Sequence, residues 1–192
     1  PFIVFNFLVR PVPVDEEGRA LLAPNGLRRV EAALIASGYF SEEEVAVVPP
    51  SKLRAAIGED TEVIGVSSND PLGLGPSSST LAGPYGVVHE EPMSAWKFRE
   101  LVKSKVLQGA RRRGAKIVVG GPGAWQLGEE DMVKLGIDVV VEGEAELVAP
   151  KLFKELIEGR LDAPKVVKVP PSMTPSAEEI PRLRGATVGG LV

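Results

Sequence analysis

Short, nearly uninterrupted apolar runs alternate along the chain with segments in which apolar residues recur every three or four positions. The runs are Ile3–Val9, Val45–Val48, Val63–Ser67, Lys116–Gly120 and Asp138–Val141. Apolar runs of this length and continuity predict strands buried on both faces, as in a parallel sheet. Between the first two, Leu27, Val30 and Leu34 predict a helix that Gly38 closes. A short helix is predicted after Ser51, acting as N-cap, and a long one over 94–109 with Phe98, Leu101, Val102 and Val106 along one side. A brief helix over 129–135 turns Met132 and Leu135 inward, and a last one over 146–158 buries Leu152, Phe153, Leu156 and Ile157. The alternation predicts an α/β domain: a flavodoxin-like, Rossmann-like, doubly wound sheet of five parallel strands in the order 2-1-3-4-5, with helices on both faces. It is expected to occupy residues 1–160. From 161 to 192 the chain turns proline-rich and loses periodicity, which predicts a linker, with Lys165–Val169 as a candidate edge strand.

Composition narrows the chemistry. The chain has 192 residues, 44% of them hydrophobic, and a formal charge of -4, so nothing in the overall balance points to nucleic acid. The one basic cluster, "RRRG" at 111–114, reads as a helix C-terminus whose cations offset the helix dipole and whose Gly114 ends the helix. The absence of cysteine excludes disulfides, cysteine-ligated zinc and iron–sulfur clusters held by this chain. His89 is the single histidine and, beside Glu90 and Glu91, reads as a surface residue, so no metal site is expected. No apolar run is long enough to span a membrane, and a cytoplasmic location is the expectation. The chain starts at Pro1 and stops inside a strand-like "VGGLV", which raises the expectation of a piece of a larger protein.

In a doubly wound sheet, ligands bind at the carboxyl ends of the strands. The segments expected there are "RPVPVDEEG" at 10–18, "SSNDPLGLGPSSST" at 67–80, "GGPGAWQ" at 120–126 and "EGEAE" at 142–146. Three of them are rich in Gly, Ser or Pro, whereas the connections at the opposite edge, "ASGYFSEEE" and "IGEDTE", are ordinary charged turns. The glycines at 120, 121 and 123 fit two accounts: close backbone approach by a ligand, or a tight strand-to-helix turn. After Ser67, roughly 25 residues pass before the next predicted helix, beyond the usual connection length, and they carry six hydroxyls between Ser67 and Thr80. Trp125 either caps a flat ligand or packs on the sheet. A phosphoacceptor receiver domain is excluded, because Asp15 lies too far past the first strand and Glu142 stands where a lysine is needed. A dinucleotide fold is excluded by the absence of G-x-G-x-x-G after the first strand.

The segment "KIVVGGPGAWQL…GIDVVVEGEAELVAPKLFKELIEG" resembles the second half of the cobalamin-binding domain that precedes the barrel of radical S-adenosylmethionine enzymes. A Gly-Gly pair after the fourth strand followed by G-x-D-x-V-V-x-G-E-x-E is the recurring pattern there. The resemblance covers about 115–192, and over 1–114 it rests on strand order and "SSNDPLGLGP". It implies a corrinoid against the carboxyl edge, contacted by Pro11 and Val12, by Ser67, Ser68, Asn69, Asp70, Gly73, Gly75 and Ser77, by Gly120, Gly121, Pro122 and Gly123, and by Glu142, Gly143 and Glu144. It further implies a methyltransferase whose 4Fe-4S cluster and S-adenosylmethionine belong to a radical barrel following Val192, the partner of this domain. Nothing catalytic is expected within the 192 residues themselves.

One departure stands out. Many cobalamin domains carry Asp-x-His-x-x-Gly after the first strand, the histidine being the lower axial ligand of cobalt, and "PVPVDEEG" has none. "DPLGLG" at 70–75 has that spacing with Leu72 in the histidine's place, but it follows the third strand. The expectation is therefore a corrinoid bound without histidine. The alternative is a non-catalytic docking module that keeps the shape and has lost the cofactor.

Overall fold

A computed structural model describes residues 11–82, 90–176, 178–184 and 186–187. Ile3–Val9 and His89 lie outside them. The centre of the molecule is a parallel sheet of four strands, β2 (Val63–Ser67), β3 (Lys116–Gly120), β4 (Val139–Glu142) and β5 (Lys165–Lys168), side by side in that order. The predicted runs at 63–67, 116–120 and 138–141 thus become adjacent strands, and the candidate edge strand at 165–169 joins them. The run Val45–Val48 forms no strand; it lies alongside the segment before the first helix, with Val47 O accepting the Ala20 amide at 2.8 Å. A two-residue strand β1 (Ala23–Pro24) pairs in parallel with β6 (Ala186–Thr187), outside the main sheet.

Alternate residues of the sheet feed two apolar layers. Ile64, Ile117, Val119 and Val140 pack with α4 (Met93–Val102), α5 (Lys105–Arg113) and α6 (Glu129–Leu135) through Phe98, Val102, Leu107 and Met132. Val118, Val139 and Val141 face the other way, onto Leu152 and Leu156 of α7 (Ala149–Ile157), which also touches α1 (Asn25–Ala36). β3 and β4, buried on both faces, need no polar alternation, which is why these two runs are continuously apolar.

The helices depart from expectation in instructive ways. The predicted helix over 94–109 is two helices, because Ser104 starts a new one: its Oγ accepts the Leu107 amide at 3.3 Å. The end of α4 is closed by Gln108, whose Nε2 donates to Val102 O at 2.7 Å and to Leu135 O at 3.1 Å, satisfying carbonyls at two helix termini. Ser51 caps nothing; it sits inside a 3-10 turn, Pro50–Lys52, that runs into α2 (Leu53–Ala56). Ile157, expected inside, is 37% exposed, since Leu152 and Leu156 take the buried face of α7. "RRRG" ends α5 as expected, with Gly114 as the left-handed cap.

Candidate functional site

The carboxyl end of the sheet is held by two loops that interlock. Ser67 and Gly120 are register partners at the ends of β2 and β3. Beyond them the pairing continues irregularly, Ser68 N donating to Gly120 O and Gly123 N to Ser68 O, each at 3.0 Å. The glycines follow from this closeness. A Cβ on Gly121 would lie 2.7 Å from Ser67 Oγ and 2.8 Å from Ser68 O, at a φ of +96°. One on Gly123 would lie 2.5 Å from both Asn69 O and Pro71 Cδ. Both distances are below any real Cβ contact, so these positions exclude side chains for reasons internal to the chain. Gly120 differs: its Cβ would meet only Val141 O, at an ordinary 3.8 Å.

The long segment after β2 is also organised from within. It holds a short helix, α3 (Pro76–Leu81), so Ser77, Ser78, Ser79 and Thr80 are helical rather than loop residues. Asp70 is its hub, accepting from Gly75 N at 2.9 Å, Gln126 Nε2 at 2.8 Å and Ser94 Oγ at 3.3 Å. Partial burial pushes the Asp70 carboxyl up, but hydrogen bonds from Ser78, Gln126, the Gly75 amide and Ser94 together outweigh it and hold the group below its ordinary value. Gln126 is itself buried, and its Oε1 accepts the Leu72 amide at 2.9 Å. Gly73 packs on the Pro92 ring and Gly75 on the Asp70 carboxylate.

A cleft of about 460 Å³ opens beside these loops, between the carboxyl end of the sheet and helices α1 and α7. Of the residues picked out in the sequence, Ser67, Gly120, Gly121, Pro122, Glu142, Gly143 and Glu144 line it. Pro11, Val12, Ser68, Asn69, Asp70, Gly73, Gly75, Ser77 and Gly123 do not. The floor is apolar: Val118, Val141, Phe153 and the bare backbone of Gly65. Trp125 stands at the rim, 60% exposed, and so flanks the opening rather than packing on the sheet.

Sequence reasoning missed Arg29 and Glu146, which also line the cleft. Arg29 Nε lies 2.7 Å from Glu146 Oε1, and its Nη2 lies 3.4 Å from Glu144 Oε2. Glu142 pairs instead with Lys168, at 3.4 Å. The third carboxylate of "EGEAE" was the available signal for Glu146; Arg29, 115 positions before Glu144, had none. No group of three or more acidic, histidine or cysteine side chains among the described residues is arranged to hold a metal ion. No helix among them is long and apolar enough to cross a membrane. Comparison with family models, curated proteins and solved structures yields no match for this chain.

Proposed function

We propose that this chain is the N-terminal cobalamin-binding domain of a radical S-adenosylmethionine methyltransferase, with the corrinoid at the cleft on the carboxyl edge. The observation that carries the reading is the cleft itself, apolar in its floor and bordered by the "GG" turn and "EGEAE", the two segments on which the resemblance rests. The residues fit such a group in two respects. An added Cβ at Gly120 would meet only Val141 O, at 3.8 Å, so the backbone there is approachable, and Glu146 Oε2 is a buried acceptor without a hydrogen-bond partner among the described residues. Ser67, Gly120 and Pro122 would border the ligand on one side, Glu142, Gly143 and Glu144 on the other. The group, when bound, supplies a cobalt-carried methyl. The chain's own part is to hold it: an apolar floor excludes water, and the rim offers polar contacts. Leu72, at the histidine-like position, is partly buried against the core layer of α4, α5 and α6, so this loop would offer a bound corrinoid no histidine.

A finer feature of the fold belongs to the same proposal: Ile3–Val9 as a fifth strand beside β2, without the order 2-1-3-4-5, whose second strand, Val45–Val48, does not form. So does a radical barrel, holding the 4Fe-4S cluster and S-adenosylmethionine, as covering partner. Leu74, Trp125 and Leu147, all exposed and all in segments that follow strand ends, support a partner over that edge.

A docking module without cofactor is the second reading, favoured by the internal reasons for Gly121 and Gly123. Mixing the protein with hydroxocobalamin and following corrin absorbance through size exclusion tests the choice. Co-elution with the 192-residue chain or with a longer polypeptide containing it supports the corrinoid. Failure in both retires it in favour of the module.

A further inference from the structure

Glu146 is the least explained polar group of the cleft. It is 7% exposed, lines the cleft, and is held at one oxygen by Arg29, 2.7 Å away. That contact is an ion pair rather than an aligned hydrogen bond, and the second oxygen, Oε2, has no hydrogen-bond partner among the described residues. A buried carboxylate oxygen without a donor is costly, because it has given up water and received nothing in return. Nor is local charge balanced: Arg29 is shared between Glu144 and Glu146, while Glu142 is engaged by Lys168.

We infer that Glu146 Oε2 accepts an N–H from a ligand in the cleft, with Arg29 as its positioning residue, so that this point of the cleft selects a carboxamide over a carboxylate on the ligand. An apolar floor calls for an apolar body, and a shared guanidinium leaves excess negative charge that repels a carboxylate. The inference rests on the corrinoid reading, in which the donors are the primary carboxamides around the macrocycle. It adds which residue recognises them and with what consequence.

The test compares hydroxocobalamin with its isomeric monocarboxylates, in each of which one peripheral carboxamide has been hydrolysed to the acid. Dissociation constants are measured for the wild-type chain and for Glu146→Gln. The wild type is expected to bind at least one isomer about tenfold more weakly than the parent, the scale of one hydrogen bond to a charged group. Glu146→Gln, whose amide can donate to a carboxylate, should shrink that preference for the same isomer. Equal affinity of the wild type for the parent and every isomer overturns the inference and leaves corrinoid binding standing. So does a preference that Glu146→Gln leaves unchanged. Should Glu146→Gln fail to fold, the wild-type comparison decides alone. No binding of any corrinoid to the wild type, either as the 192-residue chain or within a longer polypeptide containing it, overturns both readings.

Discussion

Neighbouring glycines in "GGPG" have different jobs, and substitution separates them. At Gly123 an added methyl strikes Asn69 O and Pro71, so Gly123→Ala should cost about 1–3 kcal/mol of stability by overpacking. Urea denaturation measures it, and an unchanged midpoint would contradict the tight-turn account. Gly120→Ala, with its nearest neighbour at 3.8 Å, should leave stability within about 1 kcal/mol of wild type. Gly120→Val then reads the cleft: unchanged melting with corrinoid affinity reduced about tenfold or more is expected if a ligand approaches this backbone. Gly121, strained by any side chain, cannot separate a binding loop from a turn. Asp70 gives a pH signature. Its carboxyl is held below the ordinary value in the folded protein, so its contribution is fully present above the unfolded value and is lost as pH falls through the folded one. Wild type should therefore lose more stability than Asp70→Asn on acidification below about pH 4. Parallel melting curves for the two would show that the hub contributes nothing.

At the scale of elements, helix ends and strand partners decide what periodicity leaves open. Apolar spacing runs on from Phe98 past Val106, yet Ser104 resets the helix and shifts the buried face to Leu107 and Ala110. Ser104→Ala should destabilise the protein by about 1 kcal/mol, the usual worth of an N-cap, as read by chemical denaturation. The residue was visible in the sequence, but a serine within a helical pattern announces a cap only once the chain is seen to turn. Val45–Val48 and Lys165–Lys168 show the converse. Both are short valine-rich runs, and among the described residues only the second finds a strand to pair with, β4. Strand formation depends on a neighbour's hydrogen bonds, and no local pattern encodes the neighbour.

For the whole molecule, the consequence of β5 is that the sheet extends past residue 160. Val166 packs toward the α4–α5–α6 layer, and Val167 and Val169 toward the α7 layer. A chain ending at Arg160 should be less stable by about 3 kcal/mol or more, at roughly 1 kcal/mol for each half-buried valine, whereas one ending at Ser176 keeps β5, loses of the strand pairings only the short β1–β6 pair and should melt much closer to the full chain. Thermal denaturation of the two truncations decides whether 161–192 is only a linker. The α/β class and three adjacent parallel strands were legible because double-sided burial makes continuous apolar runs, and the edge that carries the cleft was legible because Gly, Ser and Pro cluster at strand ends. Chain order and composition determine that much without long-range knowledge. Which loop residues face a cleft was not legible. Asp70, Gly73, Gly75 and Gly123 carry the same local signals as Gly120 and Glu142, yet are consumed in holding two loops together. Arg29 meets Glu146 only because α1 lies against α7. The Arg29 partnerships join residues more than a hundred positions apart, so tertiary packing alone assigns them.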